Sequence, residues 1–152
     1  MTVSVFDHPF LSGLLGDEEV AGFFSAKADI DAMLAFEAAL AEAEAAEGVI
    51  PKEAGKAIAA ALKGFAPDVA ALREGTARDG LPVPSLVRQL RKRVGEPHSE
   101  SVHFGATSQD VIDTSLALRM VKLLDILGER IDGVIGQLDA LMTRDGGSEV
   151  MA

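Results

Sequence analysis

The chain has 152 residues, no cysteine, and 24 acidic against 14 basic side chains, which gives a formal charge of -10. This length is enough to bury a core, the missing cysteines exclude disulfides and thiolate metal sites, and the negative charge repels nucleic acids and anionic membranes. The first residues lack the pattern of a secretion signal, and no apolar run approaches the roughly 20 residues of a membrane span. We therefore expect a cytoplasmic protein that binds neither nucleic acid nor membrane.

Alanine-rich segments in the first half of the chain predict three helices. Residues 25–47 combine strong helix formers with apolar residues at helical spacing, and Gly48 is placed to end the segment. Residues 52–62 predict a second helix that stops before Gly64. Pro67 suits the first position of a short third helix that runs to about residue 78.

A proline-rich stretch separates the third helix from a fourth. Residues 78–84, RDGLPVP, predict an extended loop because proline biases the residue before it away from helix. Residues 85–94, SLVRQLRKRV, predict the fourth helix, which ends at GEP. Its basic side chains form either a solvated face or a group that attracts a polyanionic substrate; they are Arg88, Arg91, Lys92 and Arg93.

The last third of the chain predicts one long helix. Its apolar residues advance in steps of four or three, which predicts about 30 helical residues and a length of roughly 45 Å; they are Ile112, Leu116, Met120, Leu123, Leu127, Ile131, Val134, Leu138 and Leu141. One small domain cannot cover a helix of this length. Further apolar positions beside the stripe predict that other helices pack on more than one side of it. These positions are Val111, Leu118, Val121, Leu124, Ile126 and Ile135. Gly128, Gly133 and Gly136 indicate either close approach of another helix or local flexibility.

Polar side chains are concentrated just before this helix, in VHFGATSQDVIDTS. Thr107 and Ser108 fall where the first backbone N–H groups of the helix lack partners, so they either cap the helix or bind a carboxylate or phosphate with those amides. His103 is either structural or a proton or hydrogen-bond donor to the same anion. Asp110 and Asp113 lie in the first turn, where carboxylates also complement the helix dipole.

The segment SVHFGATSQDVIDTSLALRM resembles the first of three signature regions of the fumarase/aspartase superfamily, in the form shared by adenylosuccinate lyases and 3-carboxy-cis,cis-muconate cycloisomerases. Residues 13–51 and 82–94 are similar to the cycloisomerase branch. Adenylosuccinate lyases usually carry an Arg-Tyr pair near the start and a Thr-x-His-Asp stretch before the fourth helix. This chain has DHPFLSG and TARDGLPVP there, so the resemblance favours a cycloisomerase over an adenylosuccinate lyase.

The resemblance implies an all-α fold, with an N-terminal helical domain at 1–106 and the truncated start of a central helical bundle at 107–152. It implies catalytic roles for His103 and Ser108, carboxylate binding by Thr107 and Ser108, and a pocket shaped by Gln109 and Asp110. The implied reaction closes 3-carboxymuconate, or a close analogue, to a lactone in aromatic (protocatechuate) degradation, without metal or organic cofactor.

The resemblance also bears on assembly. It implies a homotetramer whose sites for a small polycarboxylate are each built from three subunits. The second signature region and the loop with the proton-transferring serine are not among these residues, so we expect the chain alone to be inactive. The rival hypothesis is a non-catalytic helical module whose apolar stripe serves only assembly.

Overall fold

The computed structural model describes residues 4–149, and within that range it contains helices and no strand, which confirms the predicted all-α fold. None of the helices in this range is both long enough and apolar enough to cross a membrane. Two 3-10 helices lie at Val5–Asp7 and Ser99–Ser101. The α-helices are α1 (Ser12–Leu15), α2 (Glu18–Phe23), α3 (Ala26–Glu47), α4 (Lys52–Leu62), α5 (Val69–Asp79), α6 (Val83–Val94) and α7 (Ser108–Asp145).

The described residues form two compact units. One is Phe24–Leu118, and the other joins the two ends of the described chain, 4–23 and 119–149. In the Phe24–Leu118 unit, α3 packs on α4, α4 on α6, and α5 on α6. Apolar side chains from these helices, from the segment before α7 and from its first turn form the core; they include Met33, Ile50, Ala54, Ile58, Leu72, Val83, Leu86, Leu90, Val102 and Val111.

The α3–α4 hairpin matches the two predicted helices closely. The Ser25 hydroxyl accepts a hydrogen bond from the Ala28 amide and begins α3. Gly48 ends the helix with φ +73°, a left-handed conformation that glycine adopts without strain, and its amide donates to the Glu44 carbonyl. A second glycine, Gly55, lets α4 approach α3 closely, because a Cβ at that position would lie 2.6 Å from the Ala45 Cβ.

Helix α5 begins later than predicted. Pro67 is not its first helical residue, because Asp68 is the N-cap and α5 starts at Val69. The Asp68 carboxylate accepts hydrogen bonds from the Ala70 and Ala71 amides, so it satisfies two donors that have no partner within the helix. The prediction overlooked this side-chain cap.

Helix α6 begins earlier than predicted. Residues 83 and 84 belong to its first turn and not to an extended loop, since α6 starts at Val83. Pro84 is tolerated there because amides in the first turn of a helix need no partner within it. The predicted end is correct, and Gly95 closes the helix with its amide donating to the Arg91 carbonyl.

Helix α7 is longer than predicted, with 38 residues, or about 57 Å at 1.5 Å per residue. In the Phe24–Leu118 unit it buries Val111 and Ser115 completely. In the other unit many of its apolar side chains face outward, including Val121 at 60% exposure and Ile131 at 59%. Within residues 4–149, the neighbours predicted on more than one side are therefore missing along this part of the helix.

Charged contacts join the two segments of the second unit. The Arg130 guanidinium donates to the carboxylates of Asp17 and Glu19, and Arg119 donates to the Phe23 carbonyl at 3.1 Å. Asp17 also accepts from the Val20 amide at the start of α2. The Arg130 contact holds the pKa of the Asp17 carboxyl below its ordinary value.

Candidate functional site

The start of α7 is closed by a reciprocal pair of side chains. The Asp110 carboxylate accepts from both the amide and the hydroxyl of Thr107 at 2.7 Å, and the Asp110 amide donates to the Thr107 hydroxyl at 3.3 Å. These donors lower the pKa of the Asp110 carboxyl from its ordinary value, with the hydroxyl as the larger cause. Thr107 and Asp110 therefore act here as a capping box, the structural alternative raised by the sequence.

The next two residues differ in what they contact. The Gln109 side-chain amide donates to Asp113 at 2.6 Å on the exposed surface of the first turn. Ser108, by contrast, is half-buried and lines a cavity. Its hydroxyl makes no hydrogen bond within the described part of the chain, so it is available to a ligand at the positive end of the α7 dipole.

His103 is held by a buried carboxylate that the sequence analysis did not single out. Its Nδ1 lies 2.7 Å from Oε1 of Glu37, and the two side chains are 13% and 2% exposed. The backbone of His103 has φ +59°, which is uncommon for a residue other than glycine. The Arg91 guanidinium supports the preceding peptide, since its Nη2 donates to the Val102 carbonyl at 3.1 Å.

A second acidic side chain, Glu44, lies one heptad further along the same face of α3. Its Oε2 is buried and has no hydrogen-bond partner within residues 4–149. Burial raises the pKa of the Glu44 carboxyl, the negative charge of Glu37 raises it further, and His103 opposes both effects. The surroundings of Glu44 thus shift its equilibrium towards the protonated form.

An open cavity of about 370 Å³ brings together residues from three parts of the Phe24–Leu118 unit. Arg88 and Arg91 come from α6, His103 from the loop before α7, and Ser108 from the first residue of α7. The remaining lining is apolar and comes from the start of α6. Two guanidinium groups and a helix N-terminus make this a positive pocket on a chain of net charge -10, which suits an anion.

The structure thus separates the predicted site residues into two sets. His103 and Ser108 share the cavity, together with two of the basic residues that had been interpreted either as a solvated face or as an attractor of anions. Thr107, Gln109 and Asp110 do not line it and are engaged in contacts at the helix start.

The residue that sequence reasoning missed is Glu37. The sequence shows only that Met33, Glu37 and Ala41 recur every four residues, and the structure buries all three on one face of α3. A charged residue on a buried helical stripe requires a partner, and His103 supplies it.

The chain is similar to known lyases and cycloisomerases. A protein-family profile described as lyase matches residues 17–140. The 3-carboxy-cis,cis-muconate cycloisomerase of Bradyrhizobium diazoefficiens is 39% identical over 136 residues, which cover 88% of this chain and 30% of that protein. The enzyme of the same name from Pseudomonas putida is 42% identical over 130 residues, which cover 84% of this chain and 30% of that protein.

A solved structure and a further sequence relative are also similar to the chain. The crystal structure of a fumarate lyase from Mesorhizobium sp. BNC1 superposes with a TM-score of 0.81 at 38% identity, covering 84% of this chain and 30% of that one. An adenylosuccinate lyase from Methanothermobacter thermautotrophicus is also similar, at 32% identity over 83% of this chain and 28% of that protein. The chain spans about 30% of the length of the curated cycloisomerases it matches.

Proposed function

Because the chain belongs to the lyase family of the fumarase/aspartase superfamily, we propose that it forms the N-terminal part of a cycloisomerase. The substrate is 3-carboxy-cis,cis-muconate or a close analogue, and the product is a carboxymuconolactone formed in aromatic degradation. The identity to two cycloisomerases supports this reaction over the others found among the relatives. Two further expectations stay predictions: that the protein is cytoplasmic, and that the chain by itself is inactive.

The observation that carries the proposal is the shared cavity of Arg88, Arg91, His103 and Ser108. A substrate with three carboxylates needs several fixed cations and hydrogen-bond donors in one place, and guanidinium groups bind carboxylates through paired N–H donors. Arg88 is available for this purpose, since its nearest carboxylate, Asp79, lies 3.9 Å away and is already paired with Arg78. The cavity therefore provides one wall of a polycarboxylate site.

The proposed chemistry uses these donors in the transition state. One carboxylate oxygen adds to a carbon–carbon double bond and closes the lactone, while charge develops on another carboxylate until the adjacent carbon takes up a proton. Donors that are fixed before the reaction stabilise this charge without reorganisation. We assign Ser108 and His103 to contacts with the reacting carboxylates. Thr107, Gln109 and Asp110 do not line the cavity, and we assign them to holding the first turn of α7, which carries Ser108.

The exposed part of α7 supports the proposal that the protein assembles. Apolar side chains with exposures near 60%, such as Val121, Ile131 and Val134, occur along a helix of 38 residues. Contiguous apolar surface of this kind marks an interface with other helices. The proposed assembly is a homotetramer in which each site takes residues from three subunits.

The reaction is tested by following the loss of ultraviolet absorbance of 3-carboxy-cis,cis-muconate with the complete protein that contains this chain. Turnover of this substrate is the expected result. The second candidate is an adenylosuccinate lyase, which the similarity to the Methanothermobacter thermautotrophicus enzyme of that name supports. Release of fumarate from adenylosuccinate, with no loss of the muconate, would move the assignment to that branch.

The role of the cavity is tested by Arg88→Gln, with Arg93→Gln as the control because Arg93 is on the same helix and does not line the cavity. Loss of a charge-assisted contact costs about 1.5–3 kcal/mol, so kcat/KM is expected to fall roughly 10-fold to 150-fold. The control is expected to change kcat/KM less than twofold. Equal effects of the two substitutions would contradict the assignment of the cavity.

The rival hypothesis of a non-catalytic assembly module is tested by Ser108→Ala and His103→Ala. In an enzyme both substitutions are expected to lower the rate by orders of magnitude while the assembly remains intact. In a non-catalytic module there is no turnover to lose, and both variants should keep the assembly of the parent.

A further inference from the structure

The pair of Glu37 and His103 has three properties that plain packing does not require. The carboxylate is 2% exposed, so a contact to His103 takes the place of its water shell. The histidine backbone adopts φ +59°, a conformation that costs of the order of 1 kcal/mol or more and persists only where surrounding contacts impose it. His103 also lines the cavity that includes Ser108.

We propose that Glu37 is a positioning residue, whose carboxylate holds the His103 ring in one orientation and one tautomer so that Nε2 is presented to the cavity. The proposal takes Glu37 as an ionised carboxylate, which only accepts hydrogen bonds, so that Nδ1 carries the proton in the 2.7 Å contact. The second ring nitrogen is then an acceptor in the neutral ring and a donor in the protonated ring. The inference deepens the proposed function because it explains how His103 meets a substrate at a defined atom.

The charged groups around the ring are arranged to favour this role. On α3, Glu37 faces Nδ1, and Glu44 lies one heptad further along the same helix. Asp110 on α7 is held by Thr107, and Arg91 on α6 is held by the Val102 carbonyl. Among residues 4–149, Glu37 supplies the one carboxylate at hydrogen-bond distance from the His103 ring.

The first test needs no turnover. The 15N chemical shifts of the His103 ring report which nitrogen carries a proton, and they are measured in the chain at about pH 9, well above the ordinary histidine pKa of about 6.5. We expect Nδ1 to be protonated. An Nδ1 that carries a free lone pair would overturn the proposal.

The same spectrum is then recorded for two variants. Glu37→Met removes the acceptor while keeping a side chain of similar length, and a ring without this acceptor samples both tautomers. Glu42→Gln is the matched control, since Glu42 is exposed on the same helix. We expect averaged or split ring signals in Glu37→Met and unchanged signals in the control. A fully Nδ1-protonated ring in Glu37→Met would overturn the proposal.

A double-mutant cycle in the complete protein separates positioning from general support of the fold. In the presence of His103, Glu37→Met is expected to lower kcat about 10-fold to 100-fold with a smaller change in KM, as expected for a displaced reacting group. In a His103→Asn background it is expected to change kcat less than twofold. A loss of equal size in both backgrounds, or no loss in either, would overturn the positioning role. The ring tautomer is decided separately, so a failure of the proposed reaction does not obscure this result.

Discussion

The packing of α3 against α4 depends on the absence of a side chain at Gly55. In Gly55→Ala the new Cβ would lie 2.6 Å from the Ala45 Cβ and 3.3 Å from the Ala41 carbonyl oxygen. An ordinary contact between two methyl groups begins near 3.4 Å, so the helices must separate by roughly 0.8 Å at this point. Both backbones are held in regular helices here, which leaves little room for a local adjustment.

Two effects of opposite sign determine the magnitude. Replacing glycine by alanine inside a helix is worth about 1 kcal/mol through backbone entropy. Overpacking a buried contact costs about 1–3 kcal/mol, and a displacement of this size between two helices belongs at the upper end. We therefore expect Gly55→Ala to lower the free energy of unfolding by about 1–2 kcal/mol. For a chain of about 150 residues this corresponds to a fall in Tm of roughly 2–8 °C.

The assay is thermal and urea unfolding followed by circular dichroism at 222 nm, a wavelength that reports helix content. Ala45→Gly is expected to cost about 1 kcal/mol by itself. The double variant Gly55→Ala with Ala45→Gly moves the methyl group from α3 to α4 and should return to within about 0.5 kcal/mol of the parent. A Gly55→Ala variant at least as stable as the parent, or strict additivity of the two changes, would refute the steric argument.

Three further predictions concern ionisable groups and α7. Hydrogen bonds from Thr107 hold the pKa of the Asp110 carboxyl below its ordinary 3.8. The ionised carboxylate therefore stabilises the fold above pH 3.8, and this stabilisation is lost as pH falls through the lowered pKa. Asp110→Asn should flatten the dependence of the urea midpoint on pH below about 4. Burial and the negative charge of Glu37 raise the pKa of the Glu44 carboxyl above 4.5. Ionisation of Glu44 therefore destabilises the fold as pH rises through the raised pKa. The Glu44→Gln variant should have a higher Tm than the parent at pH 7 but not at pH 4. Among residues 4–149, and apart from the adjacent backbone of its own helix, a Cβ at Gly128 would have no heavy atom within 4 Å. Gly128→Ala should therefore stabilise the chain by about 1 kcal/mol at concentrations where it is monomeric, and a lower Tm there would contradict the open surface.

Much of the fold could be predicted from local pattern. The bounds of α4 and the end of α3 agree with the prediction because apolar spacing and a glycine stop signal both act within a few residues. The predicted start of α5 at Pro67 was wrong because the Asp68 side chain caps the helix one residue later. The predicted start of α6 was wrong because Pro84 fits the first turn of a helix. Both errors concern the first residue of a helix, where the same side chain is compatible with a loop and with the helix start.

The candidate site was predicted only in part. Residues near the start of α7 were found because their polar density and resemblance to a signature region are visible in one segment. Glu37 was not found because it lies 66 residues from His103 in the chain, and no local pattern connects the two. The sequence showed that Arg88 and Arg91 are charged, but it could not decide whether they form a solvated helix face or attract an anionic substrate.

By itself the sequence determined the all-helical class, the approximate bounds of the helices and the position of a polar segment at the start of α7, since all three depend on interactions between residues close together in the chain. Only the tertiary structure decided which side chains meet. It placed Ser108 in a cavity with two guanidinium groups, engaged Thr107 with Asp110, and buried Glu37 against His103. Packing decides such contacts because burial makes each polar group find a partner wherever the fold brings one within reach.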